Sequence, residues 1–316
     1  MDRLKDIKTI AWVGDPHLSD IPPRSRKDEY LMSILNKLDA IFLENDLVIV
    51  LGDLFDKRNL SNRGVIELVK MLKKHGFPPF YSIPGNHDVY NYNIHTLPKT
   101  TLGVLVAVGV VKLLNQLKVG NILIESLPFE RDPEVPKATM LPDTENVIRV
   151  LVGHCFFEGS FDPSFSITRS DVMGCGYDFL VLGHDHNVYK PVKVGKTNVV
   201  RVSSLSRGTS HEFNLKRMPY YLQTTLPGTV GDGFFQQRDV SADLPEEVFR
   251  EEAIEKGKLT NSVAFSSNLS ELLKNFEHQT TLHKKHSLKE ILKRMKVPTA
   301  IIAYLQDVHE RNFINF

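Results

Sequence analysis

Five stretches of the sequence place carboxylate, imidazole or amide side chains directly after runs of apolar residues. Nitrogen and oxygen ligands of these types suit divalent cations such as manganese, iron or zinc, and their number is sufficient for two ions. One such histidine or aspartate alone usually has a structural role. Five clusters in similar positions instead favour a metal centre, and without cysteine ligands it is not a structural zinc site. The candidate ligands are Asp15 and His17, Asp53, Asn86 with its neighbour His87, His154, and His184 and His186.

The apolar runs before these clusters are short and rich in valine and isoleucine, which predicts buried strands. Between the first and second runs, residues 27–42 show apolar positions at helical spacing, and residues 62–76 do the same between the second and third. Alternating strands and helices predict an α/β fold, in which helices cover a sheet. Because ligands of such sheets bind at the carboxyl ends of the strands, we expect the clusters to meet there.

Length and composition allow one large domain with an appendage, or two domains. The chain has 316 residues, of which 41% are hydrophobic and 24% are charged. Its formal net charge of +1 results from 39 basic and 38 acidic residues. No overall field therefore attracts a polyanion, which must be bound by local groups.

The two cysteines, Cys155 and Cys175, match neither a metal-binding spacing nor a disulfide framework. We expect buried thiols in a reducing compartment. The N-terminal segment lacks the apolar core of a signal peptide, and no run approaches the ~20 apolar residues of a membrane span. These features predict a cytoplasmic protein with no membrane partner.

Taken in order, the motifs DPH, GDLFD, GNHD, GHC and GHDH resemble the signature set of the calcineurin-like metallophosphoesterases, over residues 10 to about 205. The resemblance implies a sandwich of β-sheets flanked by helices, and two divalent ions. Manganese is the expected metal, with iron or zinc as alternatives. The implied ligands are Asp15, His17 and His186 for one metal, Asn86, His154 and His184 for the other, and Asp53 as the bridge.

The same resemblance implies hydrolysis of a phosphodiester. A hydroxide between the two metals would attack phosphorus, and His87 would assist the leaving group without binding metal. Asp56 lies three residues after the bridging aspartate, where the Ser/Thr phosphatase branch has an aspartate that pairs with the corresponding histidine. Asp56 is therefore expected to orient His87. Asp88 is expected to be a turn residue that bonds its own backbone.

The motifs differ from the GDxVDRG and GNHE of protein phosphatases. The stretches DPHLSDIPPRSRKDEYLMSIL and SSLSRGTSHEF are instead similar to SbcD-type nucleases. That similarity implies an exonuclease or endonuclease subunit that acts on DNA in repair or recombination. The implied partners are DNA, an SMC-like coiled-coil ATPase of the SbcC type, and a second copy in a homodimer.

Three arginines in loops that leave the metal strands are candidates for phosphate contacts, which would position a strand without reading its sequence. They are Arg24, Arg26 and Arg207.

We expect three regions: a catalytic core over 1–205, cap strands and a linker over 206–244, and a helical C-terminal region over 245–316. Asn268 and Ser287 begin capping-box patterns in the last region. Its apolar stripes predict either packing within the protein or docking on the ATPase.

Two other functions share the same metal ligands. One is a phosphatase or phosphodiesterase that acts on a small nucleotide or a lipid-linked pyrophosphate. The other is a binding module with an inactive metal site, although such a module has no chemical reason to keep His87 beside Asn86. An open basic trough would favour DNA, and a closed apolar cap would favour a small substrate.

Overall fold

A computed structural model describes residues 4–259, apart from positions 128, 139–145, 159–162, 211 and 232. The predicted capping boxes at Asn268 and Ser287 lie outside the described residues. The predicted docking of this C-terminal region on an ATPase lies outside them as well.

Two six-stranded sheets form the centre of this structure. The strands in chain order are β1 (Thr9–Val13), β2 (Leu47–Val50), β3 (Phe80–Ser82), β4 (Lys112–Leu113), β5 (Gln116–Val119), β6 (Ile122–Ser126), β7 (Ile148–His154), β8 (Phe156–Phe157), β9 (Ser166–Ile167), β10 (Phe179–Gly183), β11 (Val192–Val194), β12 (Thr197–Arg201), β13 (Tyr220–Thr225) and β14 (Gln236–Asp239).

The first sheet has the order β14-β13-β1-β2-β3-β4, and the second has the order β11-β12-β10-β7-β6-β5. Strands β1 to β4 are parallel to one another, as are β6, β7, β10 and β12. Antiparallel strands lie at one edge of the first sheet and at both edges of the second. The central parallel strands of each sheet therefore end at a common edge, where their loops meet.

The helices in chain order are α1 (Tyr30–Glu44), α2 (Asn62–Lys74), α3 (Thr101–Ala107), α4 (Arg169–Val172), α5 (Glu212–Lys216), α6 (Pro245–Val248) and α7 (Glu251–Leu259). Two 3₁₀ helices span Ile94–Lys99 and Pro163–Phe165.

Successive residues of a strand point to opposite faces of its sheet, so apolar side chains form a layer on each face of both sheets. On β1, Ile10 and Trp12 belong to the core between the sheets, whereas Ala11 and Val13 face the helices of the first sheet. The predicted α/β sandwich of sheets flanked by helices is confirmed.

Helices α1 and α2 form where the apolar spacing predicted them. Ile34 and Leu38 of α1 are fully buried in the same cluster as Leu68 of α2. Helix α2 begins after Ser61, whose side chain accepts a hydrogen bond from the Gly64 amide and so caps the first turn. Both helices thus cover the outer face of the first sheet and hold β1, β2 and β3 in register.

The predicted cap over 206–244 is corrected by the structure. Strand β13 pairs with β1 in antiparallel register, from Thr9 with Thr225 to Trp12 with Leu222, and β14 pairs with β13. These strands extend the first sheet because β1 still has a free edge after pairing with β2. The boundary at residue 245 is also inside a compact unit that continues to Lys258, with Phe249 fully buried.

Both cysteines are buried and free, as predicted. No helix in the described part of the chain is long and apolar enough to cross a bilayer.

Candidate metal centre

The structure brings all seven predicted metal ligands together at the carboxyl ends of the parallel strands. Neither sheet alone supplies the set, which forms because the two sheets meet at this edge. Asp15 and His17 follow β1, Asp53 follows β2, Asn86 follows β3, His154 ends β7, and His184 and His186 follow β10.

One group of donors consists of Asp15, His17 and His186, whose ligand atoms all lie within 4.8 Å of one another. The Nε2 atoms of His17 and His186 are 3.0 Å apart. His186 Nε2 is 3.7 Å from Asp15 Oδ1. These distances allow the three side chains to bind one cation.

A second group consists of Asp53, His154 and His184, again with ligand atoms within 4.8 Å of one another. His154 Nε2 lies 3.3 Å from Asp53 Oδ2 and 3.2 Å from His184 Nδ1. Asn86 Oδ1 is 3.1 Å from the same His154 nitrogen and adds a neutral oxygen donor.

Asp53 lies between the two groups. Its Oδ2 atom is 3.9 Å from His17 Nε2 on one side and 3.3 Å from His154 Nε2 on the other. Its Oδ1 atom accepts a hydrogen bond of 2.8 Å from the His87 amide. A carboxylate in this place can contact cations in both groups.

The carboxylates of the centre are ionised. Burial alone would raise the pKa of Asp15, but its interactions with His186 and His154 hold that pKa below its ordinary value. Burial opposes ionisation of Asp53 too, and the charge of His154 outweighs it, so the pKa of Asp53 is also lowered.

Two imidazoles are held neutral, which a metal ligand requires. Burial is the main cause that lowers the pKa of His17 to about 3, and it also lowers the pKa of His184 to about 4. Their ring nitrogens therefore have lone pairs available at neutral pH.

His154 behaves differently because it lies against two carboxylates. Burial would lower the pKa of His154, yet Asp53 and Asp15 together raise it to about 9. Its Nδ1 atom donates to the Leu51 carbonyl at 2.7 Å, which turns Nε2 towards Asp53. A bound cation would replace the proton on that nitrogen.

The donor set fits divalent cations. His17 Nδ1 is buried and has no hydrogen-bond partner among the described residues, while His17 Nε2 lies 3.0 Å from another imidazole nitrogen. Buried polar atoms are normally paired, and divalent cations bound among these nitrogens and the neighbouring carboxylates would use their lone pairs.

Four of the predicted ligands have left-handed backbone, which is rare for residues other than glycine. Such conformations cost about 1–3 kcal/mol each and persist where surrounding bonds impose them. Here the His17 amide donates to the Asp53 carbonyl at 3.0 Å, and Ser204 Oγ donates to the Asp15 carbonyl at 2.7 Å. The four are Asp15 (φ 41°), His17 (φ 50°), Asp53 (φ 49°) and His184 (φ 81°).

Glycines next to the ligands allow the two sheets to approach. Gly52 has a φ of 90°, and a Cβ atom there would overlap the His154 imidazole. A Cβ atom at Gly85 would overlap the Asp53 carboxylate. Contact with a ligand thus requires glycine in both the GDLFD and the GNHD motif, and the backbone conformation also favours it at Gly52.

The orientation of His87 requires a correction. Its Nδ1 atom lies 2.6 Å from the backbone oxygen of Asp56, whereas the Asp56 carboxylate lies 3.9 Å from the ring of His17. Position 56 therefore orients His87 through its main chain and not through its side chain. His87 Nε2 is 4.0 Å from Asp53 Oδ2, and the His87 side chain is 40% exposed.

Asp88 has a larger role than the turn residue predicted from the sequence. Its buried carboxylate accepts from the Gly85 amide at 3.0 Å, but also from the amides of Phe55 at 3.2 Å and Leu54 at 3.4 Å. It therefore fixes the loop after β3 to the loop after β2. Burial, with the nearby Asp53 charge, raises the pKa of Asp88 to about 7.

The prediction that Arg26 and Arg207 contact a phosphate is wrong. Arg26 is 1% exposed, donates to both carboxylate oxygens of Asp28, and donates to the Arg207 carbonyl at 2.8 Å. Arg207 is 4% exposed and donates to the Asp243 carbonyl at 2.5 Å. Both guanidinium groups hold loops together. Arg24 is exposed and stays a candidate contact.

The arrangement of donors on this sandwich is that of a metal-dependent phosphoesterase. Residues 8–188, more than half of the chain, match the family model described as calcineurin-like phosphoesterase, and the chain belongs to that family. It therefore has the fold and donor set of a hydrolase that acts on phosphoesters, in a family that uses two divalent ions.

Two archaeal relatives share the name DNA double-strand break repair protein Mre11. The protein of Methanosarcina mazei is 27% identical over 201 residues, which cover 60% of this chain and 31% of the relative. The protein of Nanoarchaeum equitans is 34% identical over 85 residues, which cover 25% of this chain and 23% of the relative. The matches thus span less than a third of either relative. Among solved structures, protein TT1561 of Thermus thermophilus aligns with a TM-score of 0.45 at 12% identity, over 74% of this chain and all of that one.

Proposed function

We propose that the protein is a two-metal phosphodiester hydrolase that cleaves DNA, as an SbcD-like nuclease subunit in repair or recombination. The observation that carries the proposal is the convergence of the donors around Asp53 from five strand ends. The names of the Mre11 relatives support DNA as the substrate class.

In this proposal Asp15, His17 and His186 hold one cation, with Asp53 shared between the two. Asn86, His154 and His184 hold the other. When bound, two such cations neutralise phosphate charge and make water a stronger nucleophile at neutral pH. Manganese is the proposed metal, because the carboxylate and amide oxygens of the set suit it.

His87 acts on the leaving oxygen. Because its Nδ1 atom is held by the Asp56 carbonyl at 2.6 Å, the proton on that side is fixed, and Nε2 is the atom that faces the centre. A proton on Nε2 is then the one that can pass to the oxygen of the departing strand. The exposed side chain allows that oxygen to reach it.

The position of β13 and β14 favours a long substrate over a small one. A closed site for a small nucleotide or a lipid-linked pyrophosphate requires a cap, and the strands expected to form it lie in the first sheet instead. Arg24, exposed in the loop after the first ligands, is the proposed contact to a phosphate along the strand.

The proposed partner is an SMC-like coiled-coil ATPase, in a cytoplasmic complex that also contains a second copy of this chain. The structure indicates where to truncate the chain in a test of docking through its C-terminal region. Phe249 is fully buried and its ring lies 5.3 Å from the Arg26 guanidinium, so a chain ended at residue 245 would lose part of the core. A chain ended after Leu259 keeps it. Loss of ATPase binding in that variant supports docking through 260–316, and unchanged binding contradicts it.

The proposed function is tested with the purified chain and manganese on a labelled linear DNA duplex and on bis(p-nitrophenyl) phosphate. We expect cleavage of both, with kcat/KM reduced about 10³-fold or more in Asp53→Asn. Asp39→Asn is the matched control, because Asp39 pairs with Lys74 and His75 on the surface. Hydrolysis of the small diester without any cleavage of DNA, alone or with an ATPase added, would contradict DNA as the substrate.

A further inference from the structure

A tight turn directly beyond the GNHD motif holds an exposed tyrosine. Asn91 and Tyr92 have φ angles of 50° and 55°, and the flanking Tyr90 and Asn93 are joined by a hydrogen bond of 2.9 Å. The second central position of such a turn favours glycine, and a bulky residue there is an outlier. Thr96 makes the turn rigid, since its Oγ1 atom accepts from the Tyr90 amide at 2.8 Å and donates to the Asn93 carbonyl at 2.6 Å.

The ring of Tyr92 belongs to a small cluster at the surface, in which the neighbouring Phe165 ring is only 5% exposed. Its centroid lies 4.8 Å from that of Phe165, at an interplanar angle of 36°. The Arg131 guanidinium is 5.5 Å from the Tyr92 ring and 6.0 Å from the Phe165 ring. Tyr92 is 42% exposed, and Arg131 is exposed as well.

This cluster is continuous with the metal centre. The Phe165 ring stacks on Phe129 at 6.0 Å and 18°, and Phe129 lies 6.2 Å from the His154 imidazole. Along the chain, Tyr92 follows His87 by five residues. The Tyr92 ring is thus separated from the His154 imidazole by two buried aromatic rings, a distance that a few nucleotides of a strand bound at the centre can span.

We propose that Tyr92, supported by the buried Phe165 ring, and the exposed Arg131 form a stacking platform for an unpaired nucleotide of the strand that is cleaved. The base stacks on the aromatic group, and the guanidinium contacts a backbone phosphate. The inference rests on the proposed function and adds that the DNA is single-stranded at this point. A paired base in a duplex already has neighbours on both faces and could not stack on the platform. Such a platform selects single strands without selecting a sequence.

The test compares Tyr92→Gly with Phe77→Gly in the full chain with manganese. Phe77 is also 42% exposed and left-handed, with a φ of 52°, but it precedes β3 at the edge away from the centre. We expect Tyr92→Gly to raise the KM for a single-stranded oligonucleotide at least about fivefold, in line with the loss of one stacked base. Phe77→Gly should leave that KM unchanged.

Three further measurements separate a binding role from a structural one. Bis(p-nitrophenyl) phosphate is too small to reach the platform, so its KM and kcat should be unchanged in Tyr92→Gly. Tyr92→Phe should restore the KM for the oligonucleotide. Arg131→Gln should raise that KM and reduce its dependence on salt.

The outcomes separate this inference from the proposed function. If wild type cleaves the oligonucleotide and Tyr92→Gly has the same KM, the platform is wrong while the nuclease assignment stands. If Tyr92→Gly changes the kinetics of both substrates equally, the residue has a structural role and the platform is also wrong. If wild type hydrolyses only the small diester, the proposed DNA substrate fails and the platform with it.

Discussion

The loop that follows β1 contains two charged regions that differ in one respect. Asp15 and His17 form part of the metal centre, whereas Arg26 and Asp28 pair with each other a few residues later. All four side chains are charged or polar and lie near one strand end. The difference is whether their polar atoms find partners within the protein.

In the arginine region, the guanidinium group of Arg26 finds its hydrogen-bond partners within the protein. Arg26 makes two bonds to Asp28, at 2.7 and 2.6 Å, and a third to the Arg207 carbonyl at 2.8 Å. A buried guanidinium with its carboxylate and a carbonyl has no need of a ligand. The metal centre, by contrast, leaves His17 Nδ1 without a partner among the described residues and places two imidazole nitrogens 3.0 Å apart. Proximity to a strand end therefore does not identify a ligand site, and in this loop the buried group that lacks a partner belongs to the metal centre.

The largest effect expected from a single change that leaves the metal centre intact is at His87. Replacement His87→Ala should lower kcat by about 10² to 10⁴ because it removes the proton donor to the leaving oxygen. Its metal content, measured by elemental analysis, should equal that of wild type. A metal position emptied by this change would show that His87 is a ligand.

Arg26→Ala should act on stability. Removal of one partner from a buried ion pair costs about 3 kcal/mol, so the free energy of unfolding in urea should fall by about that amount. The metal content should remain, since Arg26 contacts no donor of the centre. Arg24→Ala is the matched control: its exposed side chain predicts a change within about 0.5 kcal/mol. If instead Arg26→Ala kept full stability and weakened DNA binding, Arg26 would belong to the substrate site after all.

The smallest effect is expected for Asp56→Asn. The Asp56 backbone oxygen, which the substitution keeps, lies 2.6 Å from His87 Nδ1. We expect kcat to stay within about threefold of wild type, because the Asp56 side chain does not orient His87, the proton donor. A loss as large as that of His87→Ala would show that the carboxylate, and not the carbonyl, holds the ring.

The sequence allowed prediction of the strands, of the covering helices and of the positions at which the candidate ligands converge. The reason is that these features depend on local patterns: valine-rich runs that end in glycine and polar residues, and apolar positions at helical spacing. Asp53 and His154 are predictable because each directly follows or ends such a run.

Features that depend on distant pairing were not predictable in the same way. Strand β13 joins β1 from the other end of the described chain, and nothing in residues 220–225 specifies that partner. Asp88 was interpreted as a turn residue because only its bond to Gly85 is local, while its bonds to Leu54 and Phe55 reach another loop. The burial of Arg26 is only partly local: its bonds to Asp28 join residues two apart, but the Arg207 carbonyl that it also contacts is remote in sequence.

We propose above all that Asp53 is shared by two cation sites. The most direct test is calorimetric titration of Mn²⁺ into the metal-free full chain and into Asp53→Asn. We predict two sites in wild type and weakened binding at both in the variant, because its shared charge is lost. A single site in wild type, or a variant that keeps two sites at wild-type affinity, would contradict the account.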